Sequence, residues 1–209
     1  MSIETSCKNL YKKMDATSKT RFYASRRLKM HEKLSTYTVV IISLAIIFIS
    51  LMQAFDLGVN IQSKYSNLIQ SFAGIAVLVY SLVIDKNGYS LLSDKMYSCA
   101  SAVGELKQIM HPYKDGEGVT QEMYAKFQKD YWDILKLYET HTSNDFSGDN
   151  WCARLDMSED YSIKGLEWWK CKFKIWRAHA LNFISYPLVL LPLVWSISWI
   201  WFGSTWPIP

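Results

Sequence analysis

Residues Thr36 to Phe55 read TYTVVIISLAIIFISLMQAF, twenty positions without a charged side chain. At about 1.5 Å of rise per residue, such a run reaches roughly 30 Å, the thickness of a bilayer hydrocarbon core. A buried helix of a water-soluble protein seldom needs so long an uncharged run. The stretch therefore reads as a transmembrane helix. A second uncharged run follows at Leu68 to Ile84, LIQSFAGIAVLVYSLVI, at the short end of the spanning range. Only Asp56 to Asn67 joins the two, so they form an antiparallel hairpin. A third run, Leu181 to Phe202, reads LNFISYPLVLLPLVWSISWIWF. Pro187 and Pro192 interrupt it, which membrane helices tolerate where neighbours satisfy the freed carbonyls. Trp195, Trp199, Trp201 and Trp206 crowd its far end, as an aromatic belt at the headgroups would. A spanning helix is the favoured reading, and a re-entrant or interfacial helix is the alternative.

The mean hydropathy of the whole chain is only −0.02. That average mixes the three apolar runs with densely charged stretches around them. Nine Lys and Arg residues precede Thr36, from Lys8 to Lys33, whereas the hairpin loop holds only Lys64. The positive-inside rule then places the N-terminus and everything after Ile84 in the cytoplasm. Lys170, Lys172, Lys174 and Arg177 mark an inside flank before the third run, whose short tail is expected outside. The expected fold is thus an all-α membrane protein. It has a basic cytoplasmic helix over 1–35, a transmembrane hairpin over 36–84 (36–55 and 68–84), a cytoplasmic helical domain over 85–180 and a third transmembrane helix over 181–202. Cys7, Cys99, Cys152 and Cys171 form no C-x-x-C pair and read as free thiols. The charged stretch ahead of the first run does not read as a secretory signal.

In the cytoplasmic part, a helix is expected to continue from Asp85 to Met110, ended by Pro112 and the turn Asp115-Gly116-Glu117-Gly118. Thr120 is a good N-cap for the next helix. There Tyr124, Phe127, Tyr131, Ile134 or Leu135, and Tyr138 recur at three- and four-residue steps and make one face. Such a stripe packs on the preceding helix or on a second copy. Thr142 to Asp149 reads as a polar loop, and Ser158 as the start of a last helix containing GLEWWKCKFKIWRAH. Its mixture of Trp with Lys and Arg suits headgroup depth better than nucleic-acid stacking.

Catalytic chemistry is hard to find. No nucleophile elbow, Walker or Rossmann glycine pattern occurs, and no metal site, catalytic residue or cofactor is expected. His141 and Asp145, four residues apart, are the nearest thing to an acid–base pair, but Thr142-Ser143-Asn144 reads as a helix end.

The run Thr20-Arg21-Phe22-Tyr23-Ala24-Ser25-Arg26-Arg27-Leu28, directly ahead of the first span, resembles the start of SLATT domains. So do the second span with its helical extension, and Leu137-Tyr138-Glu139-Thr140-His141 followed by Asp145-Phe146. The name stands for SMODS- and SLOG-associating two-transmembrane effector. The resemblance implies a pore-forming effector of bacterial anti-phage defence in the inner membrane. It also implies a nucleotidyltransferase partner that makes an oligonucleotide or cyclic-nucleotide signal and could touch the effector directly. The third apolar segment departs from the two-span plan.

Two spans cannot enclose a channel, so a pore requires a homo-oligomer, a tetramer for example. Ser71, Gly74, Leu78 and Ser81 step by three, four and three residues along the second span, and Ser43 and Ser50 lie seven apart on the first. Small residues at such spacing usually pack helices closely, and a weakly polar pore lining is the sharper reading. Arg21, Arg26 and Arg27 are the first guess for contact with an anionic ligand, against a solvated basic helix that merely sets topology. Three functions stand side by side: a gated ion pore, a non-conducting membrane scaffold, and a lipid-modifying enzyme built on His141 and Asp145.

Overall fold

The structure, a computed structural model, describes residues 3–138, 148–158 and 161–203. Every regular element among them is helical: α1 (Ile3–Ala54), α2 (Lys64–Asn87), α3 (Tyr89–Met110), a 3-10 turn (His111–Tyr113), α4 (Gln121–Leu137), α5 (Asn150–Asp156), α6 (Leu166–Phe183) and α7 (Ser185–Phe202). The chain divides into two compact units, Met1–Lys29 with Ser90–Leu181, and Met30–Tyr89 with Asn182–Pro209.

α1 runs unbroken for 52 residues because it contains neither glycine nor proline. The basic stretch and the first span are therefore consecutive parts of one helix. The expected continuation from the second span to Met110 is broken at Gly88. That glycine takes the left-handed conformation, φ 51°, and its N–H caps the Ile84 carbonyl. The 181–202 run is also divided, with α6 ending at Phe183 and α7 starting at Ser185. Pro187 falls in the first turn of α7, where its missing N–H costs no helical bond, and only Pro192 lies inside. Ser158 does not open α6. The chain turns there, and Gly165 at φ 57° immediately precedes Leu166.

In the first unit, α4 lays Phe127 and Tyr131 on Cys7, Leu10 and Met14 of α1 and on Cys99, Val103 and Met110 of α3. The aromatic stripe is thus core, packed on α3 as expected and also on α1. Thr120 caps α4 by accepting the Met123 N–H at 3.2 Å. A polar seam stitches α1 to α3. The Ser18 hydroxyl donates to the Ala100 carbonyl at 2.8 Å, and Ser25 meets Ser93 at 3.1 Å. At the end of the seam, Lys107 and Lys19 donate to the Asp15 carboxylate at 2.7 and 2.9 Å.

In the second unit, α1, α2 and α7 pack around Ile42, Ala45, Ala73 and Leu193, then around Ile49, Met52, Ile61 and Ile200. α7 keeps level with the hairpin at both ends. Near its start the Tyr80 hydroxyl donates to the Ser185 carbonyl at 2.9 Å. At its finish the Asn60 N–H donates to the Ile200 carbonyl at 3.2 Å, and the Asn60 amide to the Trp199 carbonyl at 3.1 Å. Gly58 is required in that loop: at φ 103°, a Cβ would lie 2.9 Å from the Ile200 carbonyl oxygen. All three helices are long and apolar enough to cross a membrane.

Burial alone would raise the Asp15 carboxyl, but the hydrogen bonds and charges of Lys107 and Lys19 outweigh it and hold its pKa below the ordinary 3.8. A lowered folded-state pKa contributes stability above the unfolded value and loses it as pH falls through the folded one. Asp15→Asn should lower stability by about 1.5–3 kcal/mol at neutral pH. The deficit should shrink below about pH 4 as the wild-type carboxyl protonates. Thermal melts in detergent across pH 3–8 measure it; an equal deficit at every pH would refute the assignment.

Candidate functional site

α2 brings Ser71, Gly74, Leu78 and Ser81 onto one open face. Leu78 is 66% exposed, both serines are exposed, and nothing lies within 4 Å of where a Gly74 Cβ would stand. The Ser71 hydroxyl donates to its own helix at the Asn67 carbonyl, 2.9 Å away. On α1, Ser43 is half-buried. Ser50 donates to the Ile46 carbonyl at 2.9 Å and receives the Gln70 amide at 2.5 Å. Ser50 thus belongs to a polar clasp inside the hairpin. Gln53 and Asn67 extend the clasp, with the Gln53 amide donating to the Asn67 side-chain carbonyl at 2.8 Å. Sequence reasoning passed over Gln53, Asn67 and Gln70. The signal was there, since an uncharged polar side chain in an apolar span seeks a partner inside the protein.

A second cluster also escaped the sequence reading. The His31 ring is buried and stacks on Phe183 at 4.3 Å and on Tyr89 at 5.4 Å. Its Nδ1 lies 3.0 Å from the Tyr186 hydroxyl, which also meets Ser35 at 2.9 Å. Tyr89 follows the Gly88 break and Phe183 precedes the α6–α7 break. The cluster therefore gathers α1 and both helix breaks around one imidazole.

The three arginines fare differently. Arg21 is 2% exposed and donates from Nη1 to the Met96 sulfur at 3.0 Å. Arg27 is buried, and its Nε donates to the buried Asp149 carboxylate at 3.0 Å. Both are buried within the first unit, whereas Arg26 is exposed, 5.9 Å from the Tyr23 ring. The same neighbourhood holds Tyr23, whose hydroxyl donates to Asp156 at 2.6 Å; burial and then that carboxylate push its pKa to about 12. Burial, followed by Asp149 and Asp156, pushes the Cys152 thiol to about 11, so it is protonated at neutral pH. All four cysteines are free. His141 and Asp145 lie outside the described residues. Among the described residues, no three His, Cys, Asp or Glu side chains gather as metal ligands would.

Burial separates the arginines by function. Arg27→Ala would remove the buried guanidinium paired with Asp149 and should cost about 3–5 kcal/mol. Arg26→Ala, at the surface, should stay within about 0.5 kcal/mol of wild type. Melting curves of the two purified variants decide it, and comparable stabilities would contradict the buried-pair assignment.

The model of one protein family, described as the SMODS and SLOG-associating 2TM effector domain family 5, matches residues 3–198. No curated protein matches the chain, and no solved structure matches it either. The matched stretch begins with α1, takes in α2 to α6 and reaches well into α7. The family description names two transmembrane segments, and the described residues hold three helices long and apolar enough to cross a membrane. This chain is a membrane protein of SLATT family 5, a family of two-transmembrane effectors associated with anti-phage systems.

Proposed function

We propose that several copies of this chain assemble into a gated ion pore in the bacterial inner membrane, and that the pore opens in response to a nucleotide signal of an anti-phage system. The observation that carries this reading is the exposure of α2. Among its residues only Ser66 and Ala73 are buried, although its hydropathy is that of a spanning helix. Lipid can cover Phe72, Ile75, Val79 and Leu82. The small side chains of Ser71, Gly74 and Ser81 suit close approach of a neighbouring helix. Within one copy the space between α1, α2 and α7 is lined by apolar side chains, including a hollow of only about 330 Å³ beside Phe72, Ala76 and Val189. A lumen therefore has to lie between copies, in a closed ring such as a tetramer.

Leu78 on that face would form an apolar constriction that blocks ions by dewetting. The effector acts without covalent chemistry, and the signal works by binding the open and closed states unequally. Basic residues put the first unit in the cytoplasm, where the partner nucleotidyltransferase releases its product, with the α1–α2 loop and the C-terminus outside.

The scaffold reading has one observation of its own. Leu166, Trp169, Phe173 and Trp176 form an exposed apolar stripe along α6, fit for a partner protein or the bilayer surface. A scaffold would conduct nothing.

Orientation is tested by labelling. Cysteines introduced at Gln62, in the exposed α1–α2 loop, and at Glu117, exposed in the first unit, separate the two sides. An impermeant maleimide should label Gln62→Cys in spheroplasts and Glu117→Cys only after lysis; the opposite pattern refutes the topology.

Conduction is tested in planar bilayers. Leu78→Ser should hydrate the constriction and raise current without signal by about tenfold or more. A Cβ at Gly74 has open space around it within a single copy, so Gly74→Leu should leave the fold intact while abolishing assembly and current. If an intact oligomer of wild type and of Leu78→Ser passes no current under any nucleotide, the pore reading falls and the scaffold reading replaces it.

A further inference from the structure

The first unit carries unlike faces on its two sides. On α1, Ser18 and Ser25 meet Ala100 and Ser93 of α3, whereas Tyr23 and Arg27 reach Asp156 and Asp149 at the two ends of α5. At about 100° per residue, the second pair lies roughly 140–180° round the helix from the first. α6 joins the α5 side, where the Lys174 ammonium lies 4.1 Å from the centre of the Trp151 ring. α3 and α6 therefore stand on opposite sides of α1.

α6 shows Leu166, Trp169, Phe173 and Trp176 at steps of three, four and three, each between 62 and 74% exposed. Large side chains at that exposure present roughly 500 Å² of apolar surface, a patch of the size that usually has a partner. Lys170, Lys174 and Arg177 are exposed beside the stripe, and Cys171 is buried on the other side of the helix. α3 turns Leu91, Asp94, Ser98, Glu105 and Ile109 outward along one face. Lys107 is drawn to Asp15 and Lys95 is half-buried, so the exposed charges of α3 are both acidic. The middle of this face is small, at Ser98, Ser101 and Ala102, where the α6 face is large.

We infer that the α6 face of one copy docks on the α3 face of the next. Pairing α6 with α6 would set Lys170, Lys174 and Arg177 against themselves. Placing α6 on α3 sets aromatic rings over small side chains and cations beside carboxylates. The spacing agrees for an antiparallel pair. Asp94, Ser98 and Glu105 stand six, ten and seventeen residues after Gly88, while Arg177, Phe173 and Lys170 stand seven, eleven and fourteen before Ile184. Arg177 thus comes level with Asp94 and Phe173 with Ser98, and the long Lys170 side chain reaches toward Glu105. An anionic leaflet would suit α6 but repel the acidic face of α3, which it leaves without a role. Two different faces on opposite sides make a head-to-tail contact, and such a contact yields a ring where it closes. A stable interface covers about 800 Å² on each partner; the stripe with its basic flank supplies most of that, and the α2 face adds the rest. The inference rests on the assembly of copies proposed above, but not on conduction.

Disulfide trapping in native membranes tests it. Copies carrying only Ser98→Cys and copies carrying only Phe173→Cys, with different tags, are expressed together and oxidised. A mixed disulfide should form, while wild type and either variant alone should give none. One chain carrying both cysteines should give a ladder whose largest member is the closed ring, which counts the subunits. Lys170→Glu with Arg177→Glu on the Phe173→Cys copies should lower the mixed disulfide by about fivefold or more. Asp94→Lys with Glu105→Lys on the Ser98→Cys copies should then restore it, as no change in a partner could do for a copy that had lost its fold. Four results would overturn the proposal: no mixed disulfide between copies whose thermal melts are native; a disulfide in Phe173→Cys copies alone, which pairs α6 with α6; a yield indifferent to charge reversal; or quenching of a bimane at Phe173→Cys by spin-labelled anionic phospholipid without a mixed disulfide, which gives the face to the bilayer. Currents keep the two readings apart. A mixed disulfide and ladder without current keep the interface and remove the pore, while a current from folded copies that never crosslink removes the interface and leaves the pore.

Discussion

Inside a bilayer no water is available for backbone N–H and C=O groups, so each must be satisfied within the protein. The second unit is organised by that demand. Helices satisfy their own interiors, and difficulty arises only at ends and breaks. The last carbonyls of α7 are met by the α1–α2 loop, where Asn60 donates its backbone N–H to Ile200 and its side-chain amide to Trp199. Gly58 lets the loop come close enough to do so. Hydroxyls in the spans obey the same demand: Thr38, Ser50, Ser71, Ser196 and Ser198 each donate to the carbonyl four residues earlier. A polar side chain that pairs with its own helix imposes no partner on a neighbouring one. Gln70 and Gln53 cannot do this as readily, and they cross the hairpin to Ser50 and Asn67 instead. The hairpin is thereby registered by these contacts and by a further bond from the Gln70 amide to the Ile46 carbonyl at 3.3 Å.

This division explains what could be read from the residues alone. The spans were legible because a charge-free run of that length has few other uses. Thr120 as a cap and the stripe from Tyr124 to Tyr138 were legible because capping and helical periodicity are local. The Gly88 break was less so, since one glycine in a helical pattern is tolerated as often as it terminates. Pro187 looked like an interruption, and it becomes an initiator once the helix starts two residues earlier. The arginines show the limit of composition. Arg21, Arg26 and Arg27 look equivalent as part of a basic run, yet Arg27 owes its place to Asp149, 122 residues away. The face on α2, by contrast, was visible as a spacing of small residues, and the structure adds that Ser71, Leu78 and Ser81 are exposed there and that, among the described residues, none stands within 4 Å of a Cβ at Gly74.

The backbone crosses between the two units at three places: within α1 after Lys29, after Tyr89, and after Leu181. Two of these crossings sit beside helix breaks, at Gly88 and between Phe183 and Ser185, while the one in α1 has no break. A continuous helix transmits rotation and axial shift, whereas a break allows the following helix to change direction without dragging the preceding one. His31 lies just past the α1 crossing, and its ring is stacked on Phe183 and Tyr89, the residues next to the other two. The His31 ring thus joins α1, inside the second unit, to the residues that flank the Gly88 break and the α6–α7 break. A change of direction of α2 at Gly88 would turn the small-residue face on which Leu78 stands.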